Sequence, residues 1–185
     1  MKRNFTKSLF QNAEKIGLKP LILIFITVIS LSNIMGQTGK FKAAYIYNFT
    51  RFIEWPASFN TNQFVIGVYG KDAELIAELE NLVATKKVEN KPIKTVILSS
   101  IDEAIGCNIV FVTARESDKL PQFSVYGKNN SVLLISESSN GIKKGAAMNF
   151  VMNGNRLAFE IKGSNTNTKN LKISSSLESL ALNKY

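Results

Sequence analysis

The chain has 185 residues, 45% of them hydrophobic, with 23 basic residues, 14 acidic residues and no histidine. That length and hydrophobicity point to one folded domain rather than a disordered chain, and the missing histidine excludes Ser-His-Asp and Cys-His catalysis and histidine-type zinc sites. The formal charge of +9 is concentrated early, where residues 1–36 carry Lys2, Arg3, Lys7, Lys15 and Lys19 against Glu14 alone; the remainder lacks the basic stripe interleaved with aromatics that a nucleic-acid interface needs.

A basic stretch ends at Lys19-Pro20, the apolar run Leu21 to Leu31 follows, and Ser32-Asn33-Ile34-Met35-Gly36 closes it with small and polar residues. This is the order of a secretory signal peptide. The apolar run is short of the ~20 residues that a spanning helix needs, so cleavage near Gly36-Gln37 is favoured over an uncut membrane anchor. The expected organisation is a signal peptide over 1–36 and one domain over 37–185, outside the cytoplasm.

From Lys40 to Ile53, apolar Phe41, Ala44, Tyr45, Phe49, Phe52 and Ile53 recur at helical spacing, and Trp55-Pro56 is expected to stop that helix. Phe64 to Tyr69 reads as a strand. Asp72 caps a second helix to about Ala84, with Leu75, Ile76, Leu79, Leu82 and Val83 inward. Ile93 to Leu98 is the next strand, and Ser100-x-x-Glu103 has the spacing of a capping box. Ile109 to Val112 is continuously apolar, as a strand covered on both faces tends to be. A weak helix over Ser117 to Val125 carries Pro121, and Val132 to Ile135 is a further strand. Met148 to Met152 and Arg156 to Ile161 flank Asn153-Gly154, a strong hairpin signal. Ser164 to Leu171 reads as a helix, ahead of a terminal segment from Ile173 to Leu182. Alternating strands and helices imply an α/β fold. It is expected to be a single three-layer domain with a mostly parallel sheet of about six strands and a C-terminal antiparallel hairpin.

Catalytic chemistry finds little support. Gly67-Val68-Tyr69-Gly70-Lys71-Asp72 lacks the spacing of a phosphate-binding loop and reads as a tight strand-to-helix turn. The acidic residues form no convincing acid–base pair. Cys107 is the only cysteine, so an intrachain disulfide and a Cys-only zinc site are excluded, and beside a buried strand it reads as a small hydrophobe. No metal and no other cofactor is expected. The most distinctive stretch runs from Lys42 to Pro56, with five aromatics, Asn48 and an Arg51–Glu54 pair at i,i+3 spacing. A helix clamped to a sheet explains most of it, and a binding surface explains why polar-tipped aromatics crowd there.

That stretch, Lys42-Ala43-Ala44-Tyr45-Ile46-Tyr47-Asn48-Phe49-Thr50-Arg51-Phe52-Ile53-Glu54-Trp55-Pro56, closely resembles the opening motif of the YfiR family, K-x-A-Y-[LI]-Y-N-F-x-x-F-x-E-W-P. Cys107 to Val112 resembles the family's C-H-I-L-F-I strand, Arg156 to Ile161 its R-F-E-I strand, and Leu171 to Leu177 its L-x-I-S-S-x-L terminus. The resemblance spans about Lys40 to Leu182. It implies a periplasmic α/β domain that holds an inner-membrane diguanylate cyclase inactive by binding its periplasmic sensor region, or that serves a two-component system; it implies a regulator and not an enzyme. Two departures stand out: Cys107 has no partner cysteine, and Asn108 replaces the histidine of the strand motif.

Three functions compete. The first is an exported regulator that binds the extracytoplasmic part of a membrane signalling protein, a cyclase or a sensor kinase, through Tyr45, Tyr47 and Arg51; Tyr47 and Arg51 are four apart and on a helix would share a face. A partner docking instead on the hairpin around Asn153-Gly154 is held nearly equal. The second function is a periplasmic small-molecule-binding protein with Tyr69, Gly70, Ser99, Ser100, Thr113 and Arg115 around a crevice at the carboxyl ends of the strands. The third, a hydrolase, is disfavoured by the absent histidine. A homodimer is one candidate oligomeric state.

Overall fold

A computed structural model describes residues 38–56, 62–165 and 171–185. The expected signal peptide lies outside the described residues, and so do residues 166–170 of the expected helix from Ser164; Gly163–Asn165 forms a 3-10 turn. In chain order the elements are helix α1 over residues 38–49, then β1 (Ile53–Glu54), β2 (Phe64–Tyr69), α2 (Ala73–Val83), β3 (Lys87–Val88), β4 (Lys91–Leu98), β5 (Ile109–Val112), α3 (Leu120–Asn130), β6 (Leu133–Ser136), β7 (Met148–Asn153), β8 (Arg156–Ile161), β9 (Lys172–Ile173), α4 (Ser175–Leu180) and β10 (Asn183–Lys184).

Eight strands form one sheet in the order β10-β8-β7-β6-β5-β2-β4-β3, and β1 and β9 form a separate two-stranded ribbon. The run β4-β2-β5-β6-β7 is parallel throughout. Antiparallel β3 flanks it at one side and the β7–β8 hairpin at the other. The six expected strands are present. The sheet gains β3 and β10, which at two residues each are too short to show an alternating pattern.

Both faces of the parallel core are covered, which is why β5 is apolar at every position. Ile109 and Phe111 join the core of α1, α2 and α4 through Ala43, Ile46, Phe49, Leu75, Leu79 and Leu177. Val110 and Val112 face the other way, to Leu120 and Phe123 of α3. Asp72 caps α2 as expected, accepting from the Leu75 N–H at 3.0 Å. Pro121 lies in the first turn of α3, where its missing N–H is no loss. That helix therefore begins later and runs longer than expected, behind a 3-10 turn over Ala114–Lys119.

Three local expectations are corrected. Helix α1 ends at residue 49, well before Pro56. The N–H groups of Thr50, Arg51 and Phe52 turn back to carbonyls three residues earlier, and the Thr50 hydroxyl donates to the Tyr47 carbonyl at 2.6 Å. This frees the Phe52 carbonyl for the Ser174 N–H, so pairing with β9 replaces further helix. Second, the buried stripe of α1 includes Lys42, Ala43, Ile46 and Phe49 and is continued by Thr50 in the turn that follows, whereas Phe41 and Ala44 are exposed. The stripe is turned because a lysine, silent in any hydrophobic pattern, faces inward. Third, the 3-10 turn Asp102–Ala104 follows Ile101 with no side-chain cap; Glu103 instead accepts from the Ser99 N–H at 2.8 Å.

Candidate functional site

Helix α1 and the turn after it place the three aromatic-motif candidates in two different surroundings. Tyr45 belongs to an aromatic cluster with Phe49, Phe150 and Phe159, at ring separations of 5.9, 5.9 and 5.7 Å. Its hydroxyl donates to the Leu157 carbonyl at 3.2 Å. This is the chemistry of a packed tyrosine whose polar end has found a partner.

Tyr47 and Arg51 come together elsewhere, on an open groove of about 620 Å³. Arg51 lies past the end of α1, so the two do not share a helix face; the turn at residues 50–52 brings both to the groove. The opposite wall is β3, through Lys87, Val88 and the adjoining Glu89, and the end is made by the β1–β9 ribbon. The Tyr47 hydroxyl lies 3.5 Å from the Lys87 carbonyl. Glu54 pairs with Lys172 at 3.8 Å across the ribbon, in place of the expected Arg51.

Lys42 marks a second constellation, at the carboxyl ends of the parallel strands. Its ammonium is 2.6 Å from Asp72 Oδ2 and 2.6 Å from Glu137 Oε2, and 5.7 Å from the centre of the Phe111 ring. Side-chain exposures of 10%, 14% and 21% show that all three charges are mostly out of water. Burial pulls the Lys42 pKa down, but the hydrogen bonds and charges of Asp72 and Glu137 outweigh it and leave the group above its ordinary value of 10.5. The trio ties α1 to the ends of β2 and β6 across β5. Beside it a cleft of about 360 Å³ is lined by Thr38, Lys42, Glu137 and Ser138 with an apolar wall of Phe150, Met152 and Leu157. Sequence reading missed this trio, since Asp72 reads as a helix cap and Lys42 as part of a motif.

The expected crevice residues lie at the same end of the sheet. Gly70 has φ +100° and packs so closely on Thr113 that a Cβ would collide with the threonine hydroxyl. Tyr69 stacks edge-on against Phe123 at 4.9 Å. Ser99 donates its backbone N–H to Glu103, and Arg115 is exposed in the 3-10 turn after β5. Tyr69, Gly70 and Thr113 are thus brought together, with much of the space between them filled by their own contacts.

The Cys107–Val112 stretch is structural. Cys107 is buried, and burial pushes its thiol up to about 11. Asn108 Oδ1 accepts from the Val65 N–H at 2.8 Å, and its carbonyl accepts from the Trp55 indole N–H at 3.3 Å. Trp55 in turn lies edge-on to Phe64 at 5.0 Å. The opening motif and the β5 motif are therefore in direct contact through one asparagine and one tryptophan.

A family model described as YfiR/HmsC-like matches residues 39–182. The chain belongs to the YfiR/HmsC-like family. Comparison with proteins of curated function finds no match. The YfiR/HmsC-like family is regulatory rather than catalytic, and the match runs from the first residues of α1 to the segment before β10. In this family member, the terminal Leu171 to Leu177 stretch closes the ribbon on β1 through Ile53–Ile173 pairing, so the motifs that open and close the domain meet at the groove that holds Tyr47 and Arg51.

Proposed function

We propose that the domain is an exported, non-enzymatic regulator in cyclic di-GMP signalling, which binds the extracytoplasmic part of a membrane signalling protein of the diguanylate cyclase or sensor kinase type. The observation that carries this reading is the family match over residues 39–182. The groove between α1, β3 and the β1–β9 ribbon is the favoured docking surface, because it brings Tyr47 and Arg51 together. Tyrosine and arginine are enriched among residues whose truncation costs binding at least ~2 kcal/mol. Tyr45 packs against Phe150 and Phe159 of β7 and β8 and is not among the residues that line this groove.

Capture from detergent-solubilised membranes tests both halves. The wild-type domain is expected to retain a membrane signalling protein. A folded Tyr47→Ala/Arg51→Ala variant is expected to lose more than about tenfold in affinity. Undiminished capture by the variant rejects the groove; failure of the wild type to retain any signalling protein rejects the role.

Small-molecule binding is the second reading, favoured by the cleft of about 360 Å³ beside Lys42 and Glu137, which is within the range of ligand sites. Native mass spectrometry of freshly purified protein tests it: a retained small ligand, lost on Met152→Trp, supports it, and a bare chain mass counts against it.

A further inference from the structure

Two features of the groove, its charge and its open backbone edge, say what kind of partner segment it takes. Its acids are already answered: Glu54 by Lys172 and Glu89 by Lys91, each at 3.8 Å. Among the described residues, Arg51 and Lys87 are left exposed without a carboxylate partner. Among the residues that line the groove, Arg51, Lys87 and Lys172 stand against Glu54 and Glu89, a surplus of one positive charge, and Arg51 and Lys87 are the two cations not paired to a carboxylate.

The backbone of β3 adds a direction. Residues Glu89 and Asn90, at φ 48° and 65°, form the two-residue turn between β3 and β4. In such a hairpin the closing pair, Val88 and Lys91, exchanges its hydrogen bonds, and the next pair, Lys87 and Pro92, does not. Pro92 has no N–H to give, which suits that position. The peptide groups of Lys87 accordingly point away from β4, toward the groove, where the Lys87 carbonyl meets the Tyr47 hydroxyl at 3.5 Å. As β3 is the last strand of its sheet, no strand pairs with this edge, and an extended chain added there would take the Lys87 carbonyl over from the Tyr47 hydroxyl.

We propose that the groove binds an extended acidic peptide segment, added as a strand along β3, with its carboxylates on Arg51 and Lys87. The inference rests on the regulatory reading for its biological setting and names the chemistry of the partner at the same surface. Because strand addition draws affinity from the main chain and selectivity from the side chains, the partner is read by charge and conformation more than by a fixed sequence.

Selection of a random dodecapeptide display library on the wild-type domain tests it. Peptides rich in Asp and Glu and poor in Pro are expected to be enriched. Fluorescence anisotropy of the best of them should weaken at least tenfold with Arg51→Glu or Lys87→Glu and should weaken with added salt. Enrichment of neutral or basic peptides, no enrichment, or binding indifferent to both charge reversals overturns the proposal. The membrane-capture experiment separates the two failures: if the charge-reversed variants still retain the signalling protein that the wild type retains, the acidic-strand inference falls and the regulatory reading stands.

Discussion

Taking Lys42 out of water is offset only because two carboxylates meet it, so the three side chains depend on one another. Lys42→Ala leaves Asp72 and Glu137 facing each other without a counter-charge and is expected to cost about 3–5 kcal/mol in urea unfolding, as breaking a buried pair does. Lys42→Met combined with Glu137→Gln should cost markedly less, because one of the two uncompensated carboxylates is removed with the lysine and the other, Asp72, still accepts from the Leu75 N–H at the start of α2. The lysine also gives the stability a sign at high pH. Its folded pKa lies above the ordinary 10.5, so the contribution is complete below that value and is lost as pH rises through the folded one. Denaturation midpoints between about pH 10 and 12 should fall more steeply for wild type than for Lys42→Met. Cys107 makes the opposite kind of prediction. With its thiol pushed to about 11 by burial, it is protonated near neutrality, and iodoacetamide at about pH 8 should leave the native protein unmodified while alkylating it fully in denaturant. Rapid native labelling would show that the thiol is accessible and not the inert hydrophobe described here.

The β3–β4 hairpin is an element whose turn chemistry falls short of what its geometry favours. Both central residues have positive φ, yet neither is glycine. Glu89→Asn/Asn90→Gly supplies the preferred pair and is expected to raise stability by roughly 1 kcal/mol, read as a shift in denaturation midpoint. A loss would mean that these side chains make contacts worth more than the relieved strain. The same hairpin shows where the sequence is hard to read: Glu-Asn is a poor turn signal, and Lys87–Val88 is too short to display a period. The long elements were legible for the opposite reason. β2, α2, β5 and the β7–β8 hairpin each bury enough side chains for the pattern to be explicit, and Asp72 and Gly154 sit where a cap and a turn require them. The site was legible only in part. Tyr47 and Arg51 do line one groove, but through a turn and not through a shared helix face. Lys42 was hidden because charge pairing between Lys42, Asp72 and Glu137, separated by 30 and 65 positions in the chain, leaves no local mark.

At the scale of the molecule, residues 171–185 close the domain. Leu171 and Leu177 are core residues, β9 completes the ribbon with β1, and β10 pairs in parallel with β8. Truncation after residue 170 removes all of these at once, and the shortened domain is expected to be digested by a dilute protease under conditions that leave the complete one intact. Resistance equal to that of the whole chain would show the last segment to be an appendage. The pairing of Ile53 with Ile173 also sets an order of events when the polypeptide is made. Synthesis proceeds from the amino end, so β1 is finished long before its partner exists, and contacts between distant positions form slowly. Until Lys172 and Ile173 have been made and released, the half-ribbon and the aromatic motif around it stay unclosed. A nascent chain of this kind is most vulnerable to aggregation during that interval, and a holding chaperone would act on it then.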